Sequence, residues 1–304
     1  MLNLILGGYK VEITIFTPTY NRAYIINNLY ESLKKQTFKD FEWIVIDDGS
    51  TDNTSELFSE ILSQHSDFSI TYEKTENGGK HRAVNKGVKL AQGRMFFIVD
   101  SDDVLPPDSL EKIIEYEKSI KDSDKHLYCG LAGLKGQNKA VYVGKTFSGD
   151  YVDITYLETA ANGIYGDKAE VYYTDVIKKY PFPEFENEKF IMESVVWNEI
   201  AASGLKLRYF NEVIYYCEYL EDGLTIQGVK KFQNTPKGYG LYLYQCIKYG
   251  KIKKLKKWQA ILEYFYLFNE KLSFLEIAKN LKMNPVKLFF RITGMRLFYK
   301  IYNR

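Results

Sequence analysis

Short apolar runs alternate along the first half of the chain with stretches in which apolar positions recur every three or four residues. Residues 11–17 are rich in β-branched and aromatic side chains and read as a strand that Pro18 ends. In residues 22–36, Ile25, Ile26, Leu29 and Leu33 fall at helical spacing. Residues 41–46 form a second strand, stopped by Asp47-Asp48-Gly49-Ser50. Ser50 or Thr51 can then cap a helix through Leu57, Phe58, Ile61 and Leu62. A third strand fits 68–73. The turn Asn77-Gly78-Gly79 leads into a helix with Ala83, Val84, Val88, Leu90 and Ala91. A fourth strand, 95–99, ends at Asp100-Ser101-Asp102-Asp103, and Pro106-Pro107-Asp108 opens the next helix. Residues 127–175 read as shorter strands and turns, 190–202 as an amphipathic helix on Ile191, Val195, Val196 and Ile200, and 213–219 as a last strand. Beyond the turn Glu221-Asp222-Gly223 the chain turns helical and basic.

Strands alternating with helices of this length predict βαβ units, hence an α/β fold with a mostly parallel sheet flanked by helices. The second and fourth strands are almost wholly apolar, as expected when helices cover both faces. Ligands of such sheets bind at the carboxyl ends of the strands. Those ends carry Thr17-Pro18-Thr19, Asp47-Asp48 and Asp100-Ser101-Asp102-Asp103, so three polar clusters are predicted to converge on one edge.

Composition narrows the class. With 304 residues, 45% apolar and 26% charged, a disordered or collagen-like chain is excluded, and the core needs no disulfide staples. Cys129, Cys217 and Cys246 are odd in number and far apart, which predicts reduced thiols; the three His have no zinc spacing. No apolar run approaches the ~18 residues of a membrane span, and residues 2–6 are too short for a signal segment. A cytoplasmic protein is expected. The net charge of +2 conceals an asymmetry: residues 228–304 hold 17 basic and 3 acidic side chains, and residues 1–227 are correspondingly acidic. The expected organisation is a domain at 1–227 and a basic, mostly helical extension at 228–304.

Three carboxylates in four residues after a buried strand repel one another unless solvated or bound to a cation, and oxygen-only donors suit Mg²⁺ or Mn²⁺. On spacing alone, an Asp-rich turn capping the next helix accounts for them equally well. An acid after the second strand can accept from a ribose or a base N–H, although turn chemistry explains one of Asp47 and Asp48. The glycine fingerprint of a dinucleotide fold is missing, since the first strand ends in Thr17-Pro18-Thr19-Tyr20-Asn21-Arg22. Lys80 and Arg82 stand at a helix start, where the helix dipole disfavours cations; a diphosphate or a nucleobase nearby would account for them, as would an ordinary solvated turn.

Taken in order, Thr17-Pro18-Thr19-Tyr20-Asn21-Arg22, Gln36-Thr37-Phe38, Val45-Ile46-Asp47-Asp48-Gly49-Ser50-Thr51-Asp52, Asn77-Gly78-Gly79 and Asp100-Ser101-Asp102-Asp103 resemble the family 2 glycosyltransferases of GT-A fold. The resemblance covers 11–115 closely and extends loosely to about residue 220. It implies a nucleotide-sugar donor, most often UDP-linked. Pro18, Thr19, Tyr20 and Arg22 would line the nucleotide. Asp48 would bind the base, with Asp47 as the lesser alternative, and Lys80 and Arg82 would sit over the nucleotide. Asp100-Ser101-Asp102 matches the DXD motif, with Asp102 on Mn²⁺ or Mg²⁺, Asp100 near the ribose or donor sugar, and Asp103 able to assist either role. Glu193, after Phe182-Pro183-Glu184, matches the position of the family's base, although the usual Glu-Asp is Glu193-Ser194 here. Glu188 and Glu186 are alternatives. Trp197 can shelve a sugar or pack in the core.

The resemblance further implies inversion by in-line attack of an acceptor hydroxyl, a single carboxylate as general base, and a metal stabilising the leaving diphosphate. The acceptor would be a glycan or a lipid-linked glycan of a surface polysaccharide. Mixed basic and apolar residues over 248–304 suit either packing on the catalytic domain or attachment to an anionic membrane at its inner face, rather than nucleic acid. Two alternatives are a non-catalytic sugar-nucleotide or glycan-binding module of the same fold, and a nucleotidyltransferase. The second of these should carry a Gly-rich phosphate loop where this chain has Thr17-Pro18-Thr19.

Overall fold

The structure, a computed structural model, describes residues 8–217, 231–252 and 254–302. The chain forms two compact units, Met1–Phe182 with Val196–Glu221, and Pro183–Val195 with Asp222–Arg304. The segment 183–195 thus groups with the C-terminal helices.

The first unit opens with β1 (Val11–Thr19), α1 (Ile26–Lys34), β2 (Phe41–Asp47), α2 (Thr54–Ser63), β3 (Ser69–Lys74), α3 (Lys80–Leu90), β4 (Gly93–Ile98) and α4 (Ser109–Lys118). It continues through β5 (Tyr128–Gly136), β6 (Tyr151–Ile154), β7 (Lys168–Tyr173), α5 (Thr174–Ile177), α6 (Ser194–Ala202, its first two residues counted with the second unit) and β8 (Lys206–Tyr216). The eight strands make one sheet in the order β3-β2-β1-β4-β7-β5-β8-β6. The half built from the βαβ alternation, β3-β2-β1-β4, is parallel throughout. β7 then runs antiparallel to both β4 and β5, β5 and β8 are parallel, and β6 closes the edge antiparallel to β8.

Alternation sorts β1 into two faces. Ile13 and Ile15 join Trp43, Val45, Met95 and Phe97 in a core covered by Ile26, Leu29 and Leu33 of α1, Phe58 of α2, and Leu110 and Ile113 of α4. On the other face Phe16 stacks on Phe96 at 5.2 Å, and α3 lies so close that a Cβ on Gly87 would stand 2.1 Å from the Phe16 ring. The Phe16 ring takes the space that a side chain would need.

Several boundaries differ from the sequence pattern for identifiable reasons. Pro18 does not end β1, which pairs on to Thr19↔Asp47. The β1–β4 ladder finishes at Phe16↔Ile98, so the donor that proline lacks falls where no partner strand continues. Helix α2 begins at Thr54 instead of being capped by Ser50 or Thr51, because both of those residues are tied to the loop after β1. Helix α6 begins at Ser194 rather than near 190. β8 starts seven residues before 213, and its polar start hid it: Arg208 is buried but lies opposite Asp153 of β6 and donates to both carboxylate oxygens, at 2.8 and 2.7 Å. Residues 218–219 of the expected strand, and the turn at 221–223, lie outside the described residues.

In the second unit α7 (Pro236–Lys248), α8 (Lys254–Phe268), α9 (Phe274–Asn280) and α10 (Pro285–Tyr302) enclose their own core of Leu243, Ile261, Tyr264, Phe268, Ile277 and Leu288. The orphan N–H groups at the start of α7 are met by Glu188, whose two oxygens accept from Lys237 N and Gly238 N at 2.8 Å each. Ser273 and Glu276 form a capping box at α9.

Gly87 supplies a direct test of the α3–sheet approach. Replacing it with Ala in an exposed helix gains ~1 kcal/mol of propensity. Here Gly87→Ala should instead destabilise by ~1–3 kcal/mol through overpacking on Phe16, read as a lower denaturation midpoint. A midpoint equal to or above that of the parent would show that the helix stands further from the sheet.

Candidate active site

Three loops meet at the carboxyl ends of β1, β2 and β4, and backbone contacts join them. Asp48 N donates to Thr19 O at 2.8 Å, and Val99 N to Phe16 O at 2.8 Å. Asn21 takes the left-handed conformation at φ 52°, which Asn tolerates better than most residues. From there its N–H donates to Ser50 Oγ at 2.8 Å while its Oδ1 accepts from Thr51 N at 2.7 Å. Asp52 Oδ2 accepts from Ala23 N at 3.1 Å. The loop bearing Tyr20 and Arg22 is therefore laced to the loop after β2.

Both acids of the second cluster organise backbone. Asp47, fully buried, accepts from Ser50 N through Oδ1 and from the Tyr72 hydroxyl through Oδ2, each at 2.7 Å. Asp48 accepts from Gly78 N at 2.7 Å and Gly79 N at 2.8 Å, and its carbonyl accepts from Asn77 Nδ2 at 2.8 Å. Gly79 stands at φ 98°, which glycine adopts freely. This turn sets the start of α3. Lys80 then reaches Asp100, Nζ to Oδ1 at 2.5 Å, and Arg82 folds back to donate to Gly78 O.

The third cluster is held from the far half of the sheet. Tyr215 of β8, without solvent exposure, accepts from Asp100 N at 2.9 Å and donates its hydroxyl proton to Asp103 Oδ2 at 2.7 Å. Lys135 of β5 places Nζ 4.1 Å from the centre of the Tyr215 ring. Val104 and Tyr216 exchange backbone hydrogen bonds, which tie the loop's exit to β8.

Charge follows this geometry. Burial pushes the Asp100 carboxyl up, but the charges of Lys80 and Lys135 and the Lys80 hydrogen bond outweigh it and hold the group below its ordinary value. Asp102 is raised by burial and by the Asp100 charge, with Arg22 and Lys80 opposing. Asp103 is raised to about 7 by burial and by Asp100. Arg22, Lys80, Asp100, Asp102 and Asp103 therefore act on one another electrostatically across three loops. Thr19 is buried, and its hydroxyl has no hydrogen-bond partner among the described residues; Ser101 is buried beside the acids, and Tyr20 is exposed.

Among the described residues no group of three or more His, Cys, Asp or Glu side chains could hold a metal ion. Asp100 and Asp102 nonetheless fit a cation of the kind that takes one or two carboxylates and completes its shell with phosphate and water. Burial and the Asp100 charge raise Asp102, and a cation beside it would oppose both.

Of the remaining candidates, Trp197 is buried and stacks on Tyr172 at 4.2 Å, so it packs in the core and is no sugar shelf. In the second unit, Glu193 is half-buried immediately before α6, Glu186 is exposed, and Glu188 is the buried cap of α7. Tyr215 and Lys135 were not found from sequence. Each lies in a strand whose pairing with the rest of the sheet has no local signature.

The sheet and its loops are those of a GT-A-type α/β fold. Solved structures agree: S. aureus TarS 1-349 in complex with UDP-GlcNAc superposes with TM-score 0.59 at 17% identity, over 94% of this chain and 92% of that one. The mannosyltransferase PcManGT of Pyrobaculum calidifontis, in complex with GDP-Man and Mn²⁺, gives TM-score 0.55 at 17% identity, over 97% and 83%. Residues 14–158 match the family model described as Glycosyl transferase family 2. Among curated relatives, glycosyltransferase RP339 of Rickettsia prowazekii is 30% identical over 161 residues, 52% of this chain and 49% of that protein. GlyG of Streptococcus pneumoniae is 32% identical over 112 residues, 37% of this chain and 36% of that one. The chain thus spans about half the length, or less, of these relatives.

The Tyr215–Asp103 bond predicts a pH-dependent stability. A carboxyl raised from the usual ~4 to about 7 binds its proton more tightly in the native state, so its contribution to stability falls as pH rises from ~4 to ~7. Tyr215→Phe removes the hydroxyl's hydrogen bonds to Asp103 and from Asp100 N and should cost ~1–3 kcal/mol. The loss should be larger at pH 8, where Asp103 is ionised, than at pH 5.5. Equal losses in denaturant titrations at the two pH values would contradict the assignment.

Proposed function

We propose that this chain is a metal-dependent, inverting glycosyltransferase that moves a sugar from a nucleoside-diphosphate donor, UDP-linked, to a hydroxyl of a glycan or lipid-linked acceptor in surface polysaccharide biosynthesis. The observation that carries the proposal is the meeting of the Asp100, Asp102 and Asp103 carboxylates with Arg22 and Lys80 at the carboxyl end of the sheet's parallel half. Anionic and cationic groups at one edge suit a ligand that is both polyphosphate and sugar. The UDP-GlcNAc and GDP-Man complexes of the structural neighbours support a nucleotide-sugar donor, and the Mn²⁺ of the second supports a metal. A Bacillus subtilis relative named for teichuronic acid biosynthesis supports the acceptor class.

In this mechanism Pro18, Thr19 and Tyr20 line the nucleotide, and Asp48 meets the base from the loop it organises. Arg22, Lys80 and Arg82 balance phosphate charge. Asp102 would hold Mn²⁺ or Mg²⁺, which when bound supplies Lewis-acid stabilisation of the diphosphate's developing charge, while Asp100 and Ser101 face the ribose or donor sugar. Lys80 already neutralises Asp100, so the loop reaches the donor with part of its repulsion cancelled. Glu193 accepts the acceptor's hydroxyl proton as the attacking bond forms. Its place before α6, and the engagement of Glu188 as a helix cap, favour it over the neighbouring carboxylates. We keep residues 1–227 as the catalytic part and 228–304 as the locating part.

Release of nucleoside diphosphate across a panel of UDP- and GDP-sugars with Mn²⁺ tests the proposal; no turnover with any donor, together with no donor binding, would refute it. Asp102→Asn should abolish transfer through loss of metal-dependent donor binding. Glu193→Gln should keep donor affinity within about twofold while turnover falls ~100-fold or more, the scale of general-base catalysis. A fully active Glu193→Gln would move the base elsewhere.

A further inference from the structure

The second unit exposes an apolar edge that its own core does not use. On α10, Leu288 and Ile292 point inward and are buried, while Val286, Phe289 and Phe290 are 63%, 55% and 69% exposed. Their spacing of three and four residues puts them on one face, one turn apart. Phe289 and Phe290 touch at 5.8 Å between ring centres, and Phe274 at the start of α9 meets Phe289 edge-on at 6.2 Å. Beside Phe274, Leu275 is 67% exposed. Single exposed hydrophobic residues are ordinary, but a contiguous group of large ones marks a contact surface.

The sequence that carries this edge is strongly basic. Residues 271–304 contain eight Lys and Arg side chains and one acid, Glu276. Glu276 accepts from the hydroxyl and the N–H of Ser273 in the α9 capping box, at 2.7 and 2.8 Å. Lys279, Lys282, Lys287 and Arg291 are all exposed, with the Lys282 ammonium over Tyr244 and the Arg291 guanidinium over Trp258. No helix among the described residues is long and apolar enough to cross a bilayer.

We infer that the α9–α10 edge docks on an anionic lipid surface, with Leu275, Val286, Phe289 and Phe290 entering the headgroup–acyl boundary and Lys279, Lys282, Lys287 and Arg291 engaging lipid phosphates. Exposed aliphatic and aromatic side chains together with exposed cations on the same helices match a bilayer interface, which is apolar below and anionic above. A nucleic acid would satisfy the cations and leave Leu275 and Val286 against a polar surface. A second copy of this chain would bring the same net positive edge against itself. The inference extends the proposed function by giving the locating part of the chain a partner. It does not depend on the transfer reaction.

The test is co-sedimentation of the full chain with phosphatidylcholine vesicles and with vesicles containing phosphatidylglycerol. The parent should partition into the anionic vesicles at least about tenfold better than into the neutral ones. Phe289→Ser combined with Phe290→Ser keeps every charge and should lose about tenfold or more of that partition. Lys279→Glu with Lys287→Glu should lose as much while keeping the aromatic edge. Because these positions are exposed, thermal midpoints and nucleotide-donor binding in vesicle-free buffer should stay at parental values. A failure of vesicle binding is thereby separated from a failure of the proposed activity. Equal partition by the Phe double variant, or a parent that ignores vesicles but dimerises through this edge in sedimentation velocity, would overturn the inference.

Discussion

Three carboxylates in four residues, at the end of a buried strand, cannot all stay charged in a partly dry pocket without partners. The rest of the candidate site follows from how that repulsion is met. Lys80 takes Asp100, Tyr215 takes Asp103 while also receiving Asp100 N, and Lys135 adds positive charge above the tyrosine ring. Asp102 is left as the acid held up by burial and by its neighbour's charge. A site arranged this way leaves Asp102 as the carboxylate proposed to take a cation, and the partners of the other two offset the repulsion within the loop.

The partners come from distant parts of the chain, so the site is as rigid as the sheet. Tyr215 reaches it from β8 and Lys135 from β5, while Lys80 is aimed by a turn that Asp48 holds through two glycine N–H groups. The loops after β1 and β2 are joined in the same manner through Asn21, Ser50 and Asp52. Asp47, Asp48 and Asp52 therefore organise backbone: they order the loops that present the residues proposed to act on the donor. A loop held by several buried charge-assisted hydrogen bonds loses little further entropy when a ligand arrives.

The second unit meets a different constraint. Its helices draw most of their stability from packing, closing a separate core around Tyr264 and Phe268, and Glu188 secures the start of α7. That core consumes one side of α10 and leaves the other apolar and bordered by lysine. The excess positive charge of the C-terminal region thereby becomes a property of a surface.

Local pattern determined much of this protein. The β-branched runs and 3.6-residue periodicity of residues 11–118 specify four parallel strands with their helices, and the polar residues at the strand ends specify which edge carries the site. These features are legible because each is written within a few neighbouring residues. Only tertiary structure decided the remainder. Arg208 looks too polar for a strand until Asp153 lies opposite it, and Trp197 suits a sugar shelf until Tyr172 stacks on it. Glu188 is one carboxylate among several until the N–H groups of α7 arrive from fifty residues on. Tyr215 gains its role only when β8 is set beside β5 and its hydroxyl meets the loop after β4. In each case the deciding partner is remote in sequence. A side chain's burial, charge and hydrogen bonding depend on that partner, and short-range periodicity carries no record of it.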